Sequence, residues 1–307
     1  MAKVTVVGAG NVGATCADAV ARKQICKEVV LVDIKEGLAE GKALDMYQVA
    51  PIENYSTILT GSTGDYSKTA DSDVVVITSG SPRKPGQSRD DLIGTNANIV
   101  EAVTKEVVKH SPNAIIIVVA NPLDVMTYHA FKIAGFPRER VMGMAGILDT
   151  ARFRAFIAME TGASPRDIQC MLMGGHGDTM VPLPRYSTIS GIPVTHFIKE
   201  DRLQEIVERT KKGGGELTKL IGTSAWYAPG TAAAEMVEAI LLDENRVVPA
   251  CTYLQGEYGL NDLCVGVPIM LGREGIKQII QLELNDKEKA LLKTSADAVQ
   301  GMVNVLG

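Results

Sequence analysis

Short apolar, β-branched runs alternate with stretches of helical periodicity through the first half of the chain. Residues 4–7 form one such run, broken by Gly8-Ala9-Gly10-Asn11-Val12-Gly13, and apolar positions then recur at helical spacing to about Arg22. A second run, 29–32, ends in Asp33. Continuous apolar runs follow at 73–78 and 114–120, a pattern suited to strands covered on both faces of a parallel sheet. Between them, 91–110 is helical, with Leu92, Ile99, Val103 and Val107 near one face. The alternation closes at 141–144 and predicts a Rossmann-type, doubly wound α/β domain over 1–142.

Beyond residue 143 the pattern changes. A helix is predicted over 149–161, a strand over 168–173 leading into His176, and short strands and turns through the proline-rich 182–193. Helices follow at 200–220, interrupted by the glycines 213–215, and at 230–242, with strands at 247–258 and 265–271. Asn285 and Glu288 have capping-box spacing ahead of a last helix carrying Leu291, Leu292, Val299 and Met302. Residues 143–307 therefore read as an α+β substrate domain.

The glycine turn has a specific use. In strand–GxGxxG–helix order, the first glycine makes the turn, the second admits a pyrophosphate to the backbone, and the third lets helix and strand pack. Gly8, Gly10 and Gly13 fill these places, and Asp33 stands twenty residues beyond Gly13, where a carboxylate accepts the ribose hydroxyls of NAD and repels the 2′-phosphate of NADP. NAD is the cofactor this arrangement predicts.

Composition narrows the partners. A net charge of −5, a single tryptophan and few other aromatic residues argue against nucleic-acid binding. No apolar run approaches the length of a membrane span, and no secretory h-region precedes the first strand, so the expectation is a cytoplasmic protein. The five cysteines show no metal-ligand spacing and are expected to be reduced core residues, with no metal bound.

Three clusters carry candidate chemistry. His176 stands in Gly174-Gly175-His176-Gly177-Asp178, where glycines keep bulk away from the imidazole. Asp149 and Arg152, three apart at a helix start, share a side: a carboxylate to hold an imidazole and a guanidinium fork for a substrate carboxylate. The segment 80–89 is rich in turn residues and positive charge, and Arg83 and Arg89 within it can meet one anionic substrate if the loop closes. Asn121-Pro122 follows a strand end, where such sheets bind ligands. His110, His129 and His196 lack comparable neighbours and read as structural.

These motifs, in this order, resemble the lactate/malate dehydrogenase family, in its lactate-dehydrogenase-like malate branch: the glycine turn, Arg83-Lys84-Pro85-Gly86, Ala120-Asn121-Pro122, Leu148-Asp149-Thr150-Ala151-Arg152 and Gly174–Asp178. The resemblance covers essentially the whole chain. Ser79-Gly80, where Ala-Gly is common, and Gln87, where an apolar residue often stands, depart from the pattern without touching a charged role. The resemblance implies reversible NAD-dependent oxidation of (S)-malate to oxaloacetate. His176 would be the general acid-base and Asp149 its orienting carboxylate. Arg152 would hold the C1 carboxylate, Arg89 would polarise the carbonyl, and Asn121 would contact the nicotinamide and help fix the substrate. Arg83 would bind the second carboxylate, at the position where lactate enzymes typically carry glutamine. Closing that loop on pyruvate would bury an unpaired guanidinium at a cost of roughly 3–5 kcal/mol, about 10²–10⁴ in discrimination. Ala225 is aligned with a small residue lining the same pocket. A dimer or tetramer is implied, with the apolar stretch 46–52 serving either an interface or the core. Other readings are a lactate or other 2-hydroxy acid dehydrogenase, an NAD- and metal-dependent hydrolase, which would need a Cys/His metal set this chain lacks, and a non-catalytic NAD-binding protein.

Overall fold

The computed structural model describes residues 2–81 and 89–306, without the side chain of Arg89. Its first half runs β1 (Lys3–Val7), α1 (Asn11–Lys23), β2 (Glu28–Asp33), α2 (Leu38–Glu53), β3 (Ile58–Thr63), β4 (Val74–Ile77), α3 (Arg89–His110), β5 (Ile115–Val118), α4 (Leu123–Ala134) and β6 (Val141–Gly143). These strands are parallel, in the order β6-β5-β4-β1-β2-β3, with β1 at the point where the winding reverses. The central strands are buried along their length because helices cover both faces, so alternation gives way to unbroken Val and Ile. The predicted Rossmann-type α/β architecture is what this sheet forms.

The second half comprises α5 (Gly146–Thr161), β7 (Ile168–Gln169), β8 (Leu172–Met173), β9 (Val181–Pro182), β10 (Thr188–Ile189), β11 (Ile192–Pro193), α6 (Glu200–Ile221), α7 (Tyr227–Leu241), β12 (Arg246–Gln255), β13 (Asn261–Gly272), β14 (Gly275–Ile279) and α8 (Asp286–Val303). Two strands predicted for this half do not form a sheet of their own. β12 pairs antiparallel with β6, with Cys251 opposite Gly143, and β13 and β14 continue outward, giving one nine-stranded sheet. The strand predicted over 168–173 is split: β7 pairs with β10, while β8 pairs with β9. The helix predicted to break at 213–215 runs through its glycines without interruption.

The Asn285–Glu288 capping box forms in both directions at 2.9 Å, and Arg185 clamps the Glu288 carboxylate at 2.9 and 2.8 Å. From this fixed start α8 buries Leu292 and Val299 in the main core. The five cysteines are all buried and free, and burial raises the thiols of Cys16, Cys26 and Cys170 to about 12. Among the described residues, no helix is long and apolar enough to cross a membrane.

Candidate active site

The glycine turn sits between β1 and α1 at the carboxyl edge of the sheet. Gly13 lies so close to the strand end that an added Cβ would overlap the carbonyl oxygen of Gly8, which explains the third glycine by packing. In front of α1 the space is open: a Cβ on Gly10 would meet nothing within 4 Å, and no side chain caps the helix. The first backbone N–H groups of α1 are thus available to an anion, with the positive end of the helix dipole behind them. Asp33 ends β2 and accepts the Ala9 N–H at 2.7 Å and the Lys35 N–H at 2.9 Å. One carboxylate thus ties the glycine turn to the neighbouring strand end. These residues fit a dinucleotide.

The chemistry-bearing side chains come from the second half. Asp149 lies in the first turn of α5 and is 1% exposed. Its Oδ2 is 2.7 Å from His176 Nδ1, and its Oδ1 accepts from Arg152 Nη1 at 2.8 Å. The pairing of Asp149 with Arg152 is therefore a buried arrangement shared with the histidine, and no ordinary surface ion pair. With Nδ1 directed at the carboxylate, His176 keeps Nε2 for a substrate. Burial pushes the imidazole pKa down, but the charge and hydrogen bond of Asp149, with help from the Asp124 charge, outweigh it against the opposing Arg152, and the net shift is upward. Arg152 has a further buried nitrogen, Nε, without a hydrogen-bond partner.

The backbone beneath His176 is held by groups the sequence reading did not single out. The His176 N–H donates to Asp124 Oδ2 at 2.7 Å, and the Gly175 N–H donates to Ser295 Oγ at 2.8 Å. Gly174 adopts a φ of 85°, and a Cβ on Gly175 would stand 2.6 Å from Val299, so this approach admits no side chain. Gly174 also bridges Gly266 on β13. Asp124 is buried in the first turn of α4, and desolvation raises its carboxyl pKa despite the His176 N–H and charge. Asp124 was missed because its partner lies 52 residues away and its contact is to backbone; the Asn121-Pro122 strand end three residues earlier was the available signal.

Asn121 is exposed at the sheet's carboxyl edge, just ahead of α4, and its peptide bond to Pro122 is cis. Its carbonyl oxygen accepts from Asn96 Nδ2 at 2.6 Å. The buried Asn96 side chain also accepts the Ser81 N–H at 2.7 Å and donates to the Ser81 carbonyl at 3.2 Å. One amide thus ties the start of the basic segment to the Asn121 strand end. Arg83 and the Arg89 side chain, expected to clamp the substrate, lie outside the described residues. The other three histidines make contacts elsewhere: His110 with Glu106 at 3.4 Å, His129 with Glu101 at 3.8 Å, and His196 edge-on to Phe197.

A dinucleotide turn at the switch point of a doubly wound sheet, together with a buried carboxylate that holds a histidine and an arginine, is the arrangement of a nucleotide-dependent enzyme. Residues 2–143 match the NAD binding domain of lactate/malate dehydrogenases, and residues 147–304 match their alpha/beta C-terminal domain. The chain is 66% identical to a malate dehydrogenase of Cytophaga hutchinsonii over 304 residues, which is 99% of this chain and 97% of that one. A solved malate dehydrogenase from Salinibacter ruber superimposes with a TM-score of 0.95 at 58% identity, covering 99% of this chain and 97% of that one. A lactate dehydrogenase from Cryptosporidium parvum, solved with lactic acid and NAD, reaches the same TM-score at 37% identity, covering 99% and 98%. The chain belongs to the lactate/malate dehydrogenase family. It is an oxidoreductase, and its cofactor is NAD.

Proposed function

We propose that the chain catalyses the reversible NAD-dependent oxidation of (S)-malate to oxaloacetate. The observation that carries this reading is that one buried carboxylate, Asp149, contacts His176 Nδ1 and Arg152 Nη1 at once. Bound NAD would supply the hydride acceptor for malate oxidation and, in its reduced form, the hydride donor for oxaloacetate reduction. Gly8, Gly10 and Gly13 would hold its phosphates, Asp33 its ribose, and Asn121 the nicotinamide side. His176 takes the hydroxyl proton at Nε2 during malate oxidation and returns it during oxaloacetate reduction, while Asp149 stabilises the imidazolium. Arg152 fixes the C1 carboxylate. Arg89 stabilises the charge that develops on the carbonyl oxygen, and Arg83 pairs with the second carboxylate.

Malate is favoured over lactate by Arg83 and by the named activity of the 66% identical relative. NADH oxidation should be at least 10²-fold faster, as kcat/KM, with oxaloacetate than with pyruvate, the discrimination expected from an unpaired buried guanidinium. Arg83→Gln should collapse that ratio mainly by slowing oxaloacetate turnover. Comparable rates of the unaltered enzyme on both substrates would refute the malate assignment.

The same reading includes a homo-oligomer, a dimer or tetramer, located in the cytoplasm. Support for assembly is the exposed apolar surface of α2, where Leu44, Tyr47 and Ile52 meet water. Five buried, unpaired cysteines support a reducing compartment.

A further inference from the structure

The glycines 213–215 sit in the interior of α6 and work against it, since each costs about 1 kcal/mol relative to alanine in a helix. Packing gives two of them a use. A Cβ on Gly213 would stand 3.2 Å from Cδ and 3.8 Å from Nε of Arg152. One on Gly214 would lie 3.8 and 4.0 Å from the two terminal guanidinium nitrogens. At Gly215 a Cβ would meet nothing within 4 Å. The arginine therefore lies between Asp149, which takes Nη1, and a turn of α6 stripped of side chains. Its side chain is only 13% exposed, and Gly213 is itself buried.

We propose that Gly213 and Gly214 are positioning residues that set the guanidinium of Arg152 against Asp149 and so determine how tightly the substrate carboxylate is held. The proposal rests on Arg152 being the C1 carboxylate ligand proposed above. A methyl group at 213 is closer to Cδ than the 3.5–4.0 Å or so at which carbon atoms attract. Because the other end of the arginine is tied to a buried carboxylate, relief comes from sliding the guanidinium off Asp149 or from lifting α6. A methyl group at 214 fits without displacement but lays hydrocarbon beside both terminal nitrogens, which leaves them less accessible to a carboxylate. At 215 a methyl group only improves helix propensity, and it supplies an internal control.

The test compares Gly213→Ala, Gly214→Ala and Gly215→Ala in the full chain, with steady-state kinetics on oxaloacetate, NADH affinity by fluorescence, and thermal melting. A displacement of a few tenths of an ångström in a substrate-positioning group should raise KM for oxaloacetate about tenfold in Gly213→Ala, with kcat and NADH affinity little changed. Gly214→Ala, which introduces no overlap, should shift KM the same way by less. Gly215→Ala should keep the parent kinetics. In an Arg152→Lys background the effect at 213 should vanish, because two changes acting through one group are not additive. An unchanged KM in Gly213→Ala, equal effects at all three positions, a parallel loss of NADH affinity, or a full effect retained in the lysine background would each overturn the proposal. Arg152→Lys with the parent KM would instead overturn the reading of Arg152 on which it stands.

Discussion

Asp149 accepts hydrogen bonds from two groups at once, and its charge keeps the His176 imidazole protonated to higher pH than burial alone would allow. The sign of the pH dependence follows. With His176 as the proposed acid-base group, oxaloacetate reduction would consume the imidazolium and should fall as pH rises through the raised pKa, whereas malate oxidation would need the neutral ring and should rise over the same interval. Asp149→Asn removes the charge and keeps the shape, so both limbs should move to lower pH and turnover should drop by roughly 10²–10⁴-fold. Stopped-flow profiles in the two directions read this directly, and limbs that stay in place would rule out Asp149 as the source of the shift. At this scale Asp149, Arg152 and His176, which the structure brings together, stood out in their motifs. Asp124, Asn96 and Ser295 could not, because each serves backbone groups distant in sequence, and a hydrogen bond to a peptide N–H or carbonyl leaves no trace in residue spacing.

Elements were readable where burial was regular. The strands β1, β2, β4 and β5 are nearly continuous apolar runs, and the cap of α8 is written in side-chain chemistry. Missed elements have physical reasons. The strand β3 carries a glycine at 61 because a Cβ there would collide with the backbone of Glu40, and α2 contains Pro51 and has no clear apolar face. The continuity of α6 is a tertiary effect that local propensity opposes. The α8 cap yields a quantitative expectation: Asn285→Ala removes the side-chain acceptor of the Glu288 N–H and should cost about 1 kcal/mol. Urea unfolding followed by far-ultraviolet circular dichroism measures it. A loss below a few tenths would mean that the Arg185 clamp alone fixes the helix start.

Across the whole molecule, the two halves identified from sequence pattern share one sheet, because β12 docks on β6. That pairing depends on residues more than a hundred positions apart, and periodicity cannot disclose which edge a strand will join. The consequence for the site is rigidity: the His176 segment is bridged to β13, anchored to α4 and α8, and thereby fixed relative to the dinucleotide turn. The outer surface of α2 presents Leu44 at 58% and Ile52 at 76% exposure. Light scattering should find a dimer or larger species, and Leu44→Glu combined with Ile52→Glu should shift it toward monomer by placing charge in an apolar contact. An unaltered mass distribution in the double variant would exclude this face as the contact.

Asp149 is shared, and sharing limits what variation can reach. A change to Asp149 itself should loosen the proposed substrate grip of Arg152 and disturb the proposed proton transfer at His176 together, since both groups draw on this one carboxylate. Arg83 belongs to a different stretch of chain and, on the reading proposed here, touches only the part of the substrate that differs between one 2-hydroxy acid and the next. The machinery is therefore modular in an evolutionary sense: the reaction is locked in a part that tolerates little exchange, while the choice of substrate rides on a replaceable one. New specificities within this family should arise, and be easiest to engineer, by rewriting the segment around Arg83 and leaving the histidine, its carboxylate and their arginine alone.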